Sequence, residues 1–295
     1  MTDPVIEHCR VILEQGSRSF AMAASLLDPT IRAGSYQLYA WCRYCDDVID
    51  GQTMGHGQQI IDPAEQRNQL TILWSETEAA YRGEPTSDLV FQGIARVVRQ
   101  HGIPPDLPFE LLRGMEMDIE GRQYETLEQL RVYCYRVAGV VGVMMARIMG
   151  VRDEATLQRA EDLGTAMQFT NISRDVIDDA RIGRVYLPLG WLREAGLAPA
   201  DVGRPEHRGT VAAIVRRLLD EAERYYRSGD DGIDHLPFRC AWSITAARGI
   251  YSDIGAVIRS RGNEAWDRRA MVSGGRKVFW MSRSLLETAI RRITR

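Results

Sequence analysis

Helical spacing of apolar residues runs through nearly all of the 295-residue chain and limits the fold more than any other feature. Apolar side chains recur three or four residues apart, whereas the alternation that is typical of strands is nearly absent. Gly and Pro residues divide the pattern into segments, with a main loop at 51–63. The sequence therefore predicts an all-α protein with helices at 5–27 (interrupted near GSRSF), 30–50, 64–83, 86–101, 105–121, 126–149, 153–182, 208–228, 238–261 and 275–293.

Composition excludes several classes of protein. A formal net charge of -3 gives no support for nucleic acid as a partner. The N-terminal residues MTDPVIEHCR lack the basic start and apolar run of a secretion signal, which predicts a cytoplasmic protein. Cys42 and Cys45 form a CxxC pair, but no second pair and no histidine pattern completes a zinc site, so we expect structural thiols.

Two acidic clusters carry most of the functional information: CRYCDDVID at 42–50 and NISRDVIDD at 171–179. Helical spacing places Asp46 and Asp50 on one face, and it places Asn171, Asp175 and Asp179 on another. A solvated acidic face would explain either cluster alone. Both clusters, however, lie in apolar surroundings with arginines close by, and oxygen-only ligands suit Mg²⁺ that shares the phosphate oxygens of a substrate.

This reading predicts a chemistry. A diphosphate held by several metal ions is a good leaving group, and its departure from an allylic carbon leaves a carbocation that needs a dry apolar pocket. The apolar stretch at 133–150 carries the small residues Ala138, Gly139, Gly142 and Ala146 at helical spacing. They indicate either close helix packing or a groove for a long hydrocarbon, and the sequence leaves both open. The stretch is too short, and too rich in arginine, for a membrane span.

Five motifs resemble those of one family: GSRSF at 16–20, LYAWCRYCDDVID at 38–50, YCYRVAGVVG at 133–142, QFTNISRDVIDDARIGRVYLP at 168–188 and RRAMVSGGRK at 268–277. The chain is similar over nearly its whole length to bacterial phytoene synthases, in the squalene and phytoene synthase family of the class I isoprenoid synthases. The resemblance implies a single domain over 1–295, built as an all-α bundle around a central cavity.

The resemblance also implies an activity. Two molecules of geranylgeranyl diphosphate would be joined head to head through prephytoene diphosphate. The products would be 15-cis-phytoene and two diphosphates, in the first committed step of carotenoid biosynthesis. Such a prenyltransferase uses Mg²⁺ or Mn²⁺, in two or three ions, and no nicotinamide cofactor. Alternatives are a squalene or dehydrosqualene synthase acting on farnesyl diphosphate and a non-catalytic helical scaffold. A downstream phytoene desaturase is a plausible partner.

The family's pattern assigns roles to individual residues. Asp46, Asp50, Asn171, Asp175 and Asp179 match its metal ligands, and the four aspartates together with Tyr251 match its catalytic residues. The matched diphosphate contacts are Arg18, Ser19, Arg43, Tyr251, Arg269 and Lys277. The matched cavity residues are Phe20, Tyr39, Tyr133, Val137, Val141 and Gln168, with Arg184 and Tyr186 in a flap. Core packing would also explain Phe20, Val137 and Val141. Arg268 and Arg276 are one-residue alternatives to Arg269 and Lys277, and the share of Asp47 and Asp178 in the work is open.

The tail SRSLLETAIRRITR at 282–295 mixes leucine and isoleucine with arginine at helical spacing. Such a helix could lie on an anionic bilayer or pack as a final helix with a solvated face. Because phytoene is insoluble in water, we expect an enzyme loosely associated with the inner face of the cell membrane.

Overall fold

The computed structural model describes residues 3–55, 57 and 61–294, and these residues form helices without a β-strand, which confirms the all-α prediction. None of the described helices is both long and apolar enough to span a bilayer. The α-helices are α1 (Pro4–Gly16), α2 (Arg18–Ala24), α3 (Pro29–Asp50), α4 (Pro63–Arg82), α5 (Leu89–His101), α6 (Asp106–Ile119), α7 (Leu127–Cys134), α8 (Val140–Ile148), α9 (Glu154–Arg181), α10 (Leu189–Glu194), α11 (Arg208–Ile233), α12 (Phe238–Arg261) and α13 (Gly274–Ile293).

The break predicted near GSRSF lies at Ser17, which ends α1 and begins α2. Its extended backbone (φ -153°, ψ 99°) leaves the helical region, and its hydroxyl accepts the backbone N–H of Phe20 at 3.3 Å. Serine is a favoured residue for such an N-cap because its side chain satisfies a free helical donor. The corner places the first three residues of α2 in the lining of a cavity.

The single helix predicted over 126–149 is wrong in detail. The structure divides it into α7, a π-helical turn at Tyr135–Gly139, and α8. The turn packs beside α6 and α9, where Gly114 is so close to Val137 that a β-carbon would lie 2.6 Å from its side chain. Tertiary packing at this point decides the local geometry, which periodicity alone does not encode. The structure also extends α11 to Ile233 and adds the short helix α10.

Two apolar cores build the molecule. The first joins α1, α3, α4, α5, α6 and α8 around residues such as Trp41 and Met144. The second joins α7, α9, α10, α11 and α12 around residues such as Phe169 and Tyr226. Phe20 and Ile244 contact both cores. A cavity of about 1070 Å³ lies between them, lined by residues from both.

The small residues of 133–150 serve packing and cavity together. Gly142 lies directly against the carbonyl group of Ala160, and Gly164 lies against the carbonyl group of Ala138, so two backbones touch where α9 passes this segment. Ala138, Gly142 and Ala146 also line the cavity. The absence of bulk thus holds the helices close and leaves room beside them.

We expect Gly164→Ala to lower the free energy of unfolding by about 1–3 kcal/mol, because its β-carbon would collide with the backbone of Ala138. The matched control is Gly209→Ala in α11, where a β-carbon meets nothing within 4 Å. That change should leave stability equal or slightly higher, since alanine favours helix. Chemical denaturation followed by circular dichroism measures both. Equal effects at the two glycines would contradict the packing argument.

Candidate active site

One cavity brings together every residue for which the sequence predicts a site role. Its lining includes Arg18, Ser19, Phe20, Tyr39, Arg43, Asp46, Asp50, Tyr133, Val137, Val141, Gln168, Asn171, Asp175, Asp179, Arg184, Tyr186, Tyr251, Arg269 and Lys277. These residues come from six separated stretches of the chain, so the fold gathers them. Their individual roles stay predictions.

The first acidic row lies near the end of α3, and arginines neutralise it. Arg43 Nη1 donates to Asp46 Oδ2 at 3.0 Å from one turn earlier on the same helix. Arg184 Nη2 donates to Asp50 Oδ1 at 2.6 Å. Arg184 belongs to the flap segment, defined here as residues 183–188, which follows α9. The second pair therefore joins the flap to α3 across the cavity.

Asp47 has a different task from its neighbours. Its carboxylate accepts the backbone N–H groups of Met54 at 2.7 Å and Gly55 at 2.9 Å, and Asp47 is not among the cavity-lining residues. This aspartate holds the loop that follows α3. Asp178 does line the cavity, but its side chain is mostly exposed and pairs with Arg181 at 2.7 Å.

The second acidic row runs along α9. Arg174 Nε donates to Asp175 Oδ1 at 2.9 Å, and Arg269 Nη2 approaches Asp175 Oδ2 at 3.2 Å. The amide nitrogen of Asn171 donates to Gln168 Oε1 at 3.1 Å. Asn171 Oδ1 is buried and has no hydrogen-bond partner among the described residues. A buried amide oxygen without a donor favours a site for a cation or another ligand.

Burial and the crowding of negative charge raise the pKa values of two acidic groups. Burial, and then the nearby carboxylates of Asp50, Asp118 and Asp47, raise the pKa of Asp46 to about 7 against the pull of Arg43. Burial and the neighbouring Asp175 raise the pKa of Asp179 well above its ordinary value. Each shift is a free-energy cost of holding an uncompensated carboxylate here, and a bound cation would remove that cost.

The donor set fits Mg²⁺ or Mn²⁺. It consists of carboxylate and amide oxygens, including the unpartnered Asn171 Oδ1. Within the described part of the chain, no three acidic, histidine or cysteine side chains converge on one point. Mg²⁺ commonly takes one or two carboxylates and completes its shell with water and substrate phosphates, which suits two separate rows.

Sequence reasoning missed Asp118 on α6, which the fold places among the predicted residues. Its carboxylate accepts the hydroxyl groups of Tyr133 at 2.9 Å and Tyr186 at 2.7 Å. Burial raises the pKa of Asp118 to about 6, although Arg184 and the two hydroxyls act against the rise. The rings of Tyr133 and Tyr186 stack 5.0 Å apart. A single acid in an amphipathic helix gives no sequence signal, because its partners lie far along the chain.

Aromatic rings form part of the cavity wall next to the charged region. Phe20 stacks on Tyr251 with ring centres 5.3 Å apart and meets the edge of Tyr39 at 6.1 Å. Apolar side chains supply much of the remaining lining, among them Leu38, Met115, Met145, Met149 and Ile250. The cavity therefore has a charged region and an apolar region, with aromatic faces among the lining.

The structure distinguishes Arg269 and Lys277 from the adjacent basic residues Arg268 and Arg276. Arg269 and Lys277 line the cavity. Arg276 pairs with the buried Asp253 instead, and the carbonyl group of Arg268 accepts a hydrogen bond from Arg261. The placement favours the predicted pair over its neighbours.

The CxxC pair carries no sign of metal or redox chemistry. Burial raises the pKa of Cys42 to about 12, so its thiol stays protonated at neutral pH, and the cysteines of the chain are free. A protonated buried thiol is a poor metal ligand and a poor nucleophile. This favours the structural role that the sequence predicts.

An all-α bundle that encloses an apolar cavity beneath two opposed acidic rows defines the class I isoprenoid synthases. Comparison with known proteins gives the narrower assignment. The squalene/phytoene synthase family matches residues 13–276, and the chain belongs to that family.

Relatives and solved structures agree with this assignment. The chain is 46% identical over 275 residues to a phytoene synthase from Pseudescherichia vulneris, covering 93% of this chain and 89% of that protein. It is 48% identical over 278 residues to a 15-cis-phytoene synthase from a Paracoccus species, covering 94% and 90%. A dehydrosqualene synthase crystallised with a ligand superposes with a TM-score of 0.85 at 27% identity, over 95% of each chain.

We expect opposite stability effects at two adjacent aspartates in protein freed of metal with EDTA. A native pKa near 7, against an ordinary 3.8, means that Asp46 binds its proton more tightly in the folded state. Its contribution to stability therefore falls as pH rises from about 4 to about 7. Asp46→Asn should stabilise the protein, and more so at about pH 7.5 than at about pH 5.

The matched control is Asp47→Asn, which should destabilise the protein by about 1–2 kcal/mol because one of its two backbone donors loses a charged acceptor. Urea denaturation at both pH values measures the two variants. An Asp46→Asn effect that is equal at the two pH values would contradict the raised pKa of Asp46.

Asp118→Ala is expected to release the flap segment, because it leaves the Tyr186 hydroxyl without its acceptor. Trypsin cleavage after Arg181 and Arg184 should then become faster. Tyr186→Phe should reproduce the effect, whereas Tyr133→Phe should not, since Tyr133 lies outside the flap. Unchanged cleavage in both Asp118→Ala and Tyr186→Phe would show that other contacts hold the flap.

Proposed function

We propose that this protein is a 15-cis-phytoene synthase that joins two molecules of geranylgeranyl diphosphate. The observation that carries the proposal is a cavity of about 1070 Å³ whose lining combines both acidic rows with apolar side chains. Identities of 46% and 48% to proteins named phytoene synthase, over more than nine-tenths of the chain, support the choice of substrate and product.

Cavity size supports two long substrates. Pockets for one drug-sized ligand measure roughly 300–1,000 Å³. The present cavity is slightly larger than that range, and much of its lining is apolar. Two twenty-carbon chains side by side need such a space, with both diphosphates at the charged region.

We assign diphosphate binding to five of the cations that line the cavity: Arg18, Arg43, Arg174, Arg269 and Lys277. Arg43, Arg174 and Arg269 are paired with Asp46 and Asp175 in this structure. Mg²⁺ or Mn²⁺, held by Asp46, Asp50, Asn171, Asp175 and Asp179, would neutralise charge on the departing diphosphate. The guanidinium groups then donate to phosphate oxygens, for which their planar fork is well suited.

The reaction balances without a redox partner. In the first half, a bond forms between the two chains, and one diphosphate and one proton leave to give prephytoene diphosphate. In the second half, rearrangement and loss of the other diphosphate and a second proton give phytoene. Because no hydride is added, no nicotinamide cofactor is needed.

Carbocations formed in this way need protection. The rings of Phe20 and Tyr251 have faces rich in π-electron density, which would stabilise a nearby positive charge. The apolar lining excludes water that would otherwise capture the cation. The hydrogen bonds of Tyr133 and Tyr186 to Asp118 fix two more rings at the cavity.

A second candidate is a dehydrosqualene or squalene synthase that uses farnesyl diphosphate. The superposition on a dehydrosqualene synthase with a TM-score of 0.85 favours it. The higher identities to phytoene synthases argue for the longer substrate. A non-catalytic scaffold is disfavoured, because all five matched ligand residues are retained and line the cavity.

The insolubility of the proposed hydrocarbon product in water supports a location at the membrane. A forty-carbon hydrocarbon must pass from the cavity to a lipid phase and to the enzyme that next desaturates it. We therefore propose a cytoplasmic enzyme that associates peripherally with the inner face of the cell membrane and delivers phytoene to a desaturase.

Incubation of the purified protein with geranylgeranyl diphosphate and Mg²⁺ should yield phytoene, identified by mass spectrometry. Farnesyl diphosphate, with or without NADPH, should give little thirty-carbon product. Asp175→Ala should reduce turnover at least about a thousandfold, by loss of transition-state charge stabilisation, while the helical circular dichroism signal is retained.

Two controls accompany this assay. Excess EDTA should abolish product formation, and Asp178→Ala, in the same acidic run but mostly exposed, should retain most activity. Efficient conversion of farnesyl diphosphate instead would establish the second candidate. Full turnover in EDTA would refute the proposed chemistry.

A further inference from the structure

Helix α13 turns its apolar side chains away from the protein. Much of the exposed apolar surface of the described residues lies on this one helix, in Val278, Phe279, Leu285, Leu286, Ile290 and Ile293. The buried residues of α13 are the small polar Ser284 and Thr288. A surface helix ordinarily buries its apolar face and exposes its polar one. The inversion indicates an apolar face that lacks a partner within the described chain.

The exposed apolar residues form one continuous stripe, which we call the α13 stripe. At about 100° per residue, the six side chains fall within an arc of about 140°. Ser284 and Thr288 lie on the opposite side of the helix, which packs against α12. The ring of Trp280 lies over Gly249 of α12 and helps to fix this orientation. The stripe is therefore held outward by the fold.

Charge identifies what would cover the stripe. The helix carries five cations (Arg276, Lys277, Arg283, Arg291 and Arg292) and one carboxylate (Glu287), in a chain whose net charge is -3. Arg276 and Arg291 are paired with Asp253 and Asp234, which leaves Lys277, Arg283 and Arg292 without an acidic partner from another helix among the described ion pairs. By helical position Arg283 lies at one edge of the stripe and Arg292 at the other. A second copy of the chain, related by a twofold axis, would bring two cationic helices together. An apolar stripe between arginines suits the headgroup region of an anionic bilayer.

The stripe also lies beside the cavity. Lys277 near the start of α13, and Met271 and Val272 just before it, line the cavity, and Met271 is 65% exposed. Ile182, which ends α9, is another exposed apolar residue in the cavity lining. Met271 and Ile182 thus add exposed apolar side chains to the lining, and Met271 lies three residues before the start of α13. A hydrocarbon could move between lipid and cavity here with limited exposure to water.

We propose that the α13 stripe docks the protein on an anionic lipid surface, with the exposed Met271 side of the cavity next to the bilayer. The lipid docking rests on the exposed stripe and its arginines alone. The transfer of hydrocarbon at the docked surface also rests on the proposed function.

The test is sedimentation of the full-length protein with vesicles that contain neither substrate nor metal. We expect binding to phosphatidylcholine vesicles with about 30% phosphatidylglycerol, weaker binding to pure phosphatidylcholine, and loss of binding at high salt. The triple variant Phe279→Ser, Leu286→Ser, Ile290→Ser should bind at least about tenfold more weakly. Arg283→Gln should weaken binding at low salt.

The matched control changes exposed apolar residues elsewhere. Ile72→Ser with Val132→Ser removes side chains that are 47% and 43% exposed on α4 and α7, and this variant should bind like the wild type. Circular dichroism verifies that both variants are folded. Turnover of detergent-solubilised geranylgeranyl diphosphate should stay within about twofold in both, because none of these residues lines the cavity.

The outcomes separate the alternatives. Equal vesicle binding by the wild type and the triple variant overturns the proposal, as does an absence of binding by the wild type. A wild-type dimer that the triple variant dissociates, seen by light scattering without vesicle binding, assigns the stripe to a second copy and also overturns it. Because the assay contains no prenyl diphosphate, failure of the proposed enzyme activity would leave the docking result unaffected.

Discussion

The pairing of carboxylates with arginines along one cavity is the interaction on which the rest of this structure depends. Two helices deliver acidic rows to the same space, and burial makes their charge costly unless cations lie close by. Arg43, Arg174, Arg184 and Arg269 supply those cations. Under the proposed function, the same groups would hold a diphosphate once metal ions occupied the acids. The arginines that neutralise the carboxylates in the metal-free protein are thus also the groups proposed to bind phosphate.

Irregular backbone delivers much of the remaining site. The corner at Ser17 brings Arg18, Ser19 and Phe20 to the cavity, and the π-helical turn lies between Tyr133 and Val141. Single-turn π segments are frequent at functional sites, because the extra residue shifts the register of the helix that follows. The flap segment has no helix of its own before α10 and is tied down by Arg184 and Tyr186. Regular helices thus form most of the structure, and the irregular segments between them position several of the side chains that line the cavity.

Three kinds of side chain line the cavity. Charged groups lie where a diphosphate would depart, aromatic rings lie next to them, and methionine and aliphatic side chains line much of the remainder. Exposed apolar residues also lie on the outer surface, at Met271 and along the α13 stripe. This lining suits a substrate that is ionic at one end and apolar along the rest of its length.

Several features could be predicted from the sequence because their determinants are local. Helical periodicity predicts the helices, and four-residue spacing alone places Asp46 with Asp50 and Asn171 with Asp175 and Asp179. The motifs led to the family and to residues that all line the cavity. The metal role of the two rows, however, remains a prediction.

Other features were decided by tertiary structure alone. Asp118 matters only because α6 passes beneath Tyr133 and Tyr186, and Asp47 differs from Asp46 only because a loop folds back onto it. The sequence of α13 does not show which side of the helix is buried, and the structure buries Ser284 and Thr288 instead of the apolar side. Each of these depends on contacts between residues distant in the chain, and local sequence patterns carry no record of such contacts.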